Sequence, residues 1–237
     1  MLKIESLNVK YPDGKIAVED FSLEVGDGEH IALVGANGAG KSSLMLAVEG
    51  IIESTGKVQA EDIILAKDTV VDIRKKVGLL FQNPDDQLFM ATIYDDVAFG
   101  PRNMGLDEVS VKYRVEDRLK LLNIEYLKDK TALKLSGGEK RMAALATVLA
   151  MKPSIMLLDE PTAFLDPKAR RNLIHVLKGL PHTMLIATHD LTFAKEVCSK
   201  VVIMKDGKFF AQGLAKDLLY DVTLMDEGGI EAIGYEE

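Results

Sequence analysis

The chain has 237 residues, of which 47% are hydrophobic and 28% are charged, a composition typical of globular domains. With 29 basic and 37 acidic residues, the formal net charge is −8, which disfavours a broadly basic face for nucleic acid. The single cysteine, Cys198, excludes an internal disulfide, and we expect it to be a small buried residue. The N-terminal stretch lacks the apolar core of a signal peptide, and no run approaches the roughly 18 apolar residues of a membrane span.

The first third of the chain alternates strand-like stretches with turns. Short strands are predicted at residues 2–9, Val18–Val25, His30–Val34, Lys57–Gln59 and Val77–Phe81. The first two show the alternation of apolar and polar residues that is typical of half-buried strands. His30–Val34 is a short apolar run, and helical spacing begins after Lys41.

Helix-forming residues dominate from Asp86 to about Met151, which predicts a helical subdomain over about 86–151. Two buried strands follow, Ile155–Leu158 and Met184–Ala187, with a helix around Lys168–Lys178 between them. Short apolar strands that alternate with helices favour a mostly parallel sheet covered on both faces. Residues 220–237 carry six acidic and no basic side chains, and we expect this acidic C-terminal tail to be loosely packed.

A glycine-rich loop at Gly35–Ser42 fits the pattern G-x-x-x-x-G-K-[ST]. It follows an apolar strand and precedes a helix, so backbone N–H groups and the positive end of the helix dipole would face a phosphate chain. The residues we expect to bind the nucleotide here are Gly35, Asn37, Gly38, Ala39, Gly40, Lys41, Ser42 and Ser43. Lys41 would reach the β- and γ-phosphates, and the Ser42 hydroxyl would ligate Mg²⁺. The alternative is a glycine-rich turn without a ligand.

Two carboxylates, Asp159 and Glu160, follow the apolar strand Ile155–Leu158. Ligands of open α/β sheets bind at the carboxyl ends of strands. Together with the phosphate loop, this position predicts that Asp159 holds Mg²⁺ and that Glu160 orients or deprotonates the attacking water. Taken alone, an Asp-Glu pair after a strand could simply cap the next turn.

The segment Leu135–Lys140 reads Leu-Ser-Gly-Gly-Glu-Lys, and a Ser-Gly-Gly that opens a helix can bind an anion or act only as an N-cap. In combination with the motifs above, it resembles the signature motif of ABC ATPases. The resemblance extends over nearly the whole chain. It implies an α/β fold of the P-loop NTPase type, in which a mostly parallel core sheet is joined by an antiparallel β subdomain and a helical subdomain. The ATPase domain would cover residues 1–219.

Further matches occur in the order of that family. Tyr11 resembles the aromatic residue that stacks on adenine, and Gln82 resembles the Q-loop glutamine that contacts Mg²⁺ and the transmembrane partner. Asp166 lies in a segment similar to the D-loop, and His189 resembles the switch histidine that senses the γ-phosphate. Each has a plainer alternative: a packing aromatic, a turn glutamine before Asn-Pro, or a structural histidine. One departure is Glu139, where the signature often has glutamine, and we leave it out of the expected nucleotide contacts.

The resemblance implies ATP hydrolysis with Mg²⁺, in which Lys41, Glu160 and His189 are catalytic and the metal is held by Ser42, Gln82 and Asp159. It also implies a dimer, because ATP in this family lies between the phosphate loop of one subunit and the signature of another. Ser136, Gly137 and Gly138 would then act in trans. The second subunit could be an identical copy or a related ATPase.

The stretch Gln82–Pro101 resembles the ATPases of energy-coupling-factor importers, including cobalt-type CbiO-like subunits. There a second glutamine, here Gln87, helps to contact the membrane partner; a polar turn followed by an amphipathic helix is the plainer interpretation. We therefore expect an ATPase at the cytoplasmic face of the membrane that powers import of a metal ion or vitamin, with no nucleic-acid partner. The alternatives are a soluble ABC ATPase that acts on nucleic acid or ribosomes, and a nucleotide-binding scaffold without activity.

Overall fold

The computed structural model describes residues 1–234, and two β-sheets form its frame. In chain order the strands are β1 (Leu2–Lys10), β2 (Ile16–Val25), β3 (His30–Val34), β4 (Thr55–Ala60), β5 (Ile63–Ile64), β6 (Val77–Leu80), β7 (Ile155–Asp159), β8 (Thr183–Ala187), β9 (Lys200–Lys205) and β10 (Lys208–Leu214). The smaller sheet is antiparallel, with the order β2-β1-β4-β5. The larger sheet has the order β10-β9-β3-β8-β7-β6 and is parallel except at β10.

Helices cover the sheets and fill the stretch between β6 and β7. They are α1 (Lys41–Val48), α2 (Val70–Lys76), α3 (Ile93–Asn103), α4 (Glu108–Leu121), α5 (Gly137–Met151), α6 (Pro167–Gly179), α7 (Leu191–Val197), α8 (Ala215–Leu218) and α9 (Val222–Glu227). Three short 3₁₀ turns lie at Pro84–Asp86, Glu125–Leu127 and Ala132–Lys134. No helix within residues 1–234 is long and apolar enough to cross a bilayer.

The six-stranded sheet is buried on both faces. On β3, Ala32 and Val34 belong to the hydrophobic cluster formed with the helices, whereas Ile31 and Leu33 belong to the cluster beneath the antiparallel sheet. Successive strand residues point to opposite faces, so a sheet covered twice requires the continuous apolar runs seen in the sequence. The predicted fold class, a P-loop NTPase of the ABC ATPase type with an antiparallel β subdomain and a helical subdomain, is confirmed.

Strands β9 and β10 are missing from the sequence prediction. β9 reads Lys-Val-Val-Ile-Met-Lys and pairs in parallel with β3, and β10 returns antiparallel beside it as the edge of the sheet. The short apolar run in β9 indicates a strand, but the sequence analysis did not predict one there.

The expectation of a loosely packed tail is wrong for the residues up to 234. Helix α9 buries Met225 completely, and Ala232 is 8% exposed in the same cluster as β9. The backbone N–H of Ile233 donates to Leu219 O at 2.9 Å. The acidic composition misled the prediction, since a few apolar side chains are enough to fix an otherwise charged segment. Residues 235–237 of the tail lie outside the described residues.

Candidate nucleotide site

Four parallel strands deliver the predicted site residues to one edge of the sheet. Strand register pairs Leu80 of β6 with Leu158 of β7, and Asp159 of β7 with Ala187 of β8. The phosphate loop follows β3, which lies beside β8. The carboxyl ends of all four strands therefore meet, as expected for a ligand site in an open α/β sheet.

The phosphate loop depends on two glycines that lie against neighbouring backbone. Gly40 has φ = 104°, and a Cβ at this position would lie 2.2 Å from Ala17 O. A Cβ on Gly35 would lie 2.3 Å from Met204 O. Both positions therefore require glycine, which lets the loop turn tightly against β2 and β9 before α1 begins at Lys41.

Lys41 is nearly buried at the start of α1, where it is 8% exposed. Its Nζ donates to Gly35 O at 2.7 Å and to Ala36 O at 3.1 Å, so the ammonium group spans the loop from inside. Burial lowers the pKa of Lys41, and the nearby carboxylates of Glu160 and Asp159 oppose that shift. The lysine thus presents a positive charge in a poorly solvated place, where it interacts strongly with a phosphate.

The two carboxylates lie on the other side of the same site. Asp159 and Glu160 are 5% and 7% exposed, and burial raises the pKa of Asp159, while a hydrogen bond from Ser42 acts in the opposite direction. Glu160 has a left-handed backbone (φ = 48°) directly after β7. Non-glycine residues adopt this conformation rarely, and it often marks a functional position.

His189 meets Glu160 at the end of β8. Its Nδ1 lies 2.9 Å from Glu160 Oε2, and its backbone N–H donates to the same oxygen at 3.4 Å. The Thr188 hydroxyl also donates to that oxygen at 3.4 Å. The carboxylate that was predicted to handle the attacking water is therefore held in place from β8.

A cavity of about 630 Å³ joins these elements. Of the predicted residues, those lining it are Tyr11, Asn37, Gly38, Ala39, Gly40, Lys41, Ser42, Ser43, Gln82, Asp159 and Glu160. The Tyr11 hydroxyl lies 3.0 Å from Ser43 Oγ, and the ring also packs on the core beneath the antiparallel sheet. Three further lining residues were not predicted, Asp13, Lys15 and Ala17. Their signal was the position of the β1–β2 turn beside Tyr11.

The donors at the base of the cavity fit a divalent cation. Asp159 and Glu160 are both buried, and burial together with the Glu160 charge raises the pKa of Asp159, so a cation bound between the two carboxylates would relieve their repulsion. Ser42, Gln82 and Asp159 are oxygen donors, the type that Mg²⁺ prefers. Within residues 1–234, no group of three or more His, Cys, Asp or Glu side chains forms a metal cluster by itself.

The signature residues lie apart from this cavity. Ser136, Gly138 and Asp166 line a second cavity of about 490 Å³ at the N-terminus of α5. Gly137 lies against Phe164, because a Cβ on Gly137 would approach the Phe164 Cβ to 3.0 Å. The chain thus brings together the phosphate loop, the acidic pair and His189, and it leaves the signature on a different surface.

Glu139 forms a capping box with Ser136. The Glu139 Oε2 accepts the Ser136 N–H at 2.9 Å and lies 2.9 Å from Ser136 Oγ, which in turn accepts the Glu139 N–H at 3.3 Å. The hydrogen bond from the Ser136 backbone is the main reason that the pKa of Glu139 is lowered. The departure from glutamine therefore keeps the cap and adds a negative charge beside the Ser-Gly-Gly motif.

The chain is similar to proteins of known family and to solved structures. The protein-family profile described as ABC transporter matches residues 18–163, more than half of the chain. The energy-coupling factor transporter ATP-binding protein EcfA of Carboxydothermus hydrogenoformans is 40% identical over 98% of this chain and 87% of its own length. The solved structure of cbiO1 from Clostridium perfringens, part of the ABC transporter complex cbiONQ, is 37% identical with a TM-score of 0.82, covering 95% of this chain and 93% of that chain.

A dimeric ATP-binding cassette, MJ0796, solved in a post-hydrolysis state bound to ADP and Pi, is similar at 26% identity. Its TM-score is 0.83, and the match covers 91% of this chain and 99% of that chain. The likeness therefore extends across the nucleotide site and the helical subdomain together. The chain belongs to the ABC transporter family, as one of its ATPase subunits.

Proposed function

We propose that this ATPase works as a Mg²⁺-dependent dimer at the cytoplasmic face of the membrane and powers an energy-coupling-factor importer for a metal ion or vitamin. The observation that carries the chemistry is the single cavity in which Lys41, Asp159 and Glu160 meet. The relatives EcfA and cbiO1 support the importer branch. Neither relative identifies the transported substrate for this chain.

In this proposal, hydrolysis is a displacement of ADP by water at the γ-phosphorus. Glu160 accepts a proton from the water, whose oxygen bonds to the γ-phosphorus while the bond to the β-phosphate bridging oxygen breaks. Lys41 leaves its loop carbonyls to meet the β- and γ-phosphates, and the N–H groups that open α1 add to that positive field. Tyr11 supplies an aromatic face for adenine at the mouth of the cavity.

The metal would be held by Ser42, Gln82 and Asp159, and it would neutralise charge on the phosphate oxygens when bound. Ser42 and Asp159 line the same cavity, and Ser42 lowers the pKa of Asp159 against the opposing effect of burial. His189 keeps Glu160 aimed into the cavity. These contacts fix the residues before the nucleotide arrives.

The location of the signature motif supports the dimer. Ser136 and Gly138 line a cavity separate from the phosphate loop of the same chain, so a second subunit would have to bring its own signature to the nucleotide. Closing such a dimer excludes water and completes the site. The similar cassette MJ0796 was solved as a dimer, which supports the proposal that this chain also dimerises.

For the membrane partner we propose a contact in the region around Gln82 and Gln87, centred on an exposed aromatic pair. Phe89 and Phe99 are 63% and 42% exposed, and their rings meet edge-to-face with centroids 5.1 Å apart. The buried carboxylate of Asp96 accepts the N–H groups of Phe89 and Met90, both at 2.9 Å. A rigidly held exposed aromatic pair is typical of an anchor for another protein.

Affinity purification of the tagged chain from gently solubilised native membranes, followed by mass spectrometry, tests this proposal. We expect a polytopic membrane protein to be recovered together with small companion subunits that identify the substrate. Recovery of ribosomes or nucleic acid without a membrane protein would instead support the soluble alternative. An ATPase rate at background in the presence of the recovered partner would refute the catalytic part.

A further inference from the structure

Helix α5 begins at the signature motif and also holds the loop that contains Gln82. Arg141, one turn into this helix, is 1% exposed. Its Nη1 donates to Phe81 O at 2.6 Å, and its Nη2 donates to Gln82 O. The guanidinium therefore binds the two backbone carbonyls on either side of the Gln82 Cα atom.

This arginine is costly to bury. Its Nε is buried and has no hydrogen-bond partner among residues 1–234, and burial lowers the pKa of Arg141. The carboxylates of Asp159 and Glu160 oppose that shift, so the guanidinium lies within electrostatic reach of the acidic pair. Buried charges seldom add net stability, and this position therefore favours a role in positioning.

Gln87 makes a second link between the loop and the helix. Its Oε1 accepts the Phe81 N–H at 3.3 Å, and its Nε2 donates to Ala144 O at 3.1 Å and to Thr147 Oγ1 at 2.7 Å. Both ends of the amide are used inside the molecule. The Gln87 side chain therefore joins the Phe81 backbone to helix α5.

Beyond its covalent link to the preceding strand, the loop is joined by side-chain hydrogen bonds to α5. Across the described residues 1–234, the side-chain hydrogen bonds that reach the segment 81–87 from outside all come from α5. Besides Arg141 and Gln87, the contributing pair is Lys140 with Asp85, at 2.6 Å. A displacement of α5 would therefore carry the loop with it.

We infer that Arg141 and Gln87 are positioning residues that lock the Gln82 loop to helix α5, so that Ser136 and Gln82 move as one unit. Gln82 belongs to one nucleotide site, and Ser136 would complete the other site of the dimer. A displacement of the loop would then change both nucleotide sites of the dimer together. This inference rests on the nucleotide roles given to Gln82 and Ser136 in the proposed function.

Steady-state ATPase kinetics and the affinity for a fluorescent ATP analogue test the inference on Arg141→Met, Arg141→Lys and Gln87→Leu. We expect Arg141→Met to lower kcat by about 10-fold or more, because small misplacements of a positioned group are that costly. The analogue's Kd should stay within about twofold of the unaltered value, since an unchanged Kd with a lower kcat marks lost positioning in the reaction. Arg141→Lys, which keeps the charge but not the two-pronged contact, should recover part of kcat.

Arg114→Met is the matched control. Arg114 on α4 also donates from its guanidinium to a carbonyl of α5, Ala150 O at 3.2 Å, but far along the helix from the loop. Its kcat should stay at the unaltered value. An equal loss in Arg114→Met and Arg141→Met would overturn the inference, because the effect would then reflect general weakening of α5.

A fluorescence readout keeps the test decisive if Arg141→Met does not fold. The chain has no tryptophan, so Phe89→Trp in a Glu160→Gln background gives a single reporter two residues beyond the loop. Its emission should shift when ATP is added, and the added Gln87→Leu change should abolish the shift. A shift that persists in Gln87→Leu, or an unaltered kcat in that variant, overturns the lock. Failure of the unaltered chain to bind the analogue would overturn the proposed function, and the inference with it.

Discussion

The imidazole Nδ1 of His189 lies 2.9 Å from Oε2 of Glu160, although the two side chains differ greatly in exposure, at 74% and 9%. The exposed histidine thus contacts a buried carboxylate that lines the cavity. Because the histidine side chain is mostly exposed, a ligand in the proposed dimer would reach it without rearranging the sheet. The pair therefore links a buried carboxylate of the site to the exposed surface of the chain.

Glu160→Gln should separate binding from turnover. The amide keeps the size and the hydrogen bonds to Thr188 and His189 but cannot take up a proton, so kcat should fall by about 100-fold or more. With the γ-phosphate retained, ATP should hold two subunits together, and size-exclusion chromatography with ATP should show a dimer. A monomer under these conditions would contradict the trans arrangement of the signature. Lys152→Gln, at the far end of α5, is a control that should leave both readouts unchanged.

Glu139→Gln should improve the use of ATP without loss of stability. Glutamine can keep the capping box with Ser136, and removing the carboxylate relieves repulsion of a triphosphate. An exposed charge interaction of about 0.5–1 kcal/mol corresponds to a KM for ATP lower by about two- to fivefold.

Glu139→Ala is the matched variant for this prediction. It removes the charge and the cap together, so the free energy of unfolding should fall by about 1 kcal/mol. Urea denaturation and ATPase assays on both variants provide the comparison. If KM for ATP rises in Glu139→Gln, the carboxylate assists the nucleotide and our electrostatic argument is wrong.

The convergence of the site was predictable because it depends on strand order and residue type alone. A lysine after β3 and two carboxylates at the end of β7 must come together once both strands run parallel in one sheet, with only β8 between them. The burial of Arg141 was not predictable in this way. Arginine is usually exposed, and only the approach of two loop carbonyls to α5 explains its position.

Two other features escaped the sequence for related reasons. The tail looked solvated because charge counts carry no information about where Met225 points, and this side chain turns out to be completely buried. The internal hydrogen bonds of Gln87 escaped the sequence because they depend on acceptors that only the fold brings near this amide. Here Ala144 O and Thr147 Oγ1 of α5 take up both of its donors. Both features depend on contacts between residues that are far apart in the sequence, rather than on the local sequence pattern.

Phe89→Asp should reduce recovery of the membrane partner by about 10-fold or more, because losing a central aromatic anchor commonly removes upward of about 2 kcal/mol of binding. Quantitative mass spectrometry of the affinity-purified complex provides the measurement. Tyr113→Asp is the control, since Tyr113 is similarly exposed, at 68%, but lies on α4. Equal losses in both variants would indicate a nonspecific effect of the added charge, and unchanged recovery in Phe89→Asp would move the contact elsewhere.

Gly40→Ala and Gly38→Ala should differ sharply, although both glycines have positive φ, at 104° and 82°. A Cβ on Gly38 meets no atom within 4 Å, so its cost is the left-handed backbone alone, about 1–2 kcal/mol. A Cβ on Gly40 collides with Ala17 O and should also displace the loop, with a loss of nucleotide affinity of about 10-fold or more. Urea denaturation and analogue binding measure the two costs, and similar values for both variants would show that the loop yields easily.

Glu49→Gln should change how stability depends on pH. Glu49 ends α1 with 4% exposure, and burial raises the pKa of this carboxyl to about 7, with Arg74 opposing the shift. Because the folded pKa lies above the unfolded value of about 4.5, the native state holds the extra proton between these values, and stability is lost as pH rises toward 7. Each pKa unit corresponds to about 1.4 kcal/mol, so Glu49→Gln should gain up to about 3 kcal/mol relative to the unaltered chain between pH 4.5 and pH 8.

Urea denaturation across this range gives the difference, and Glu53→Gln, at an exposed carboxylate nearby, should show none. A difference for Glu49→Gln that is flat with pH would mean that the buried carboxyl finds a compensating partner when ionised.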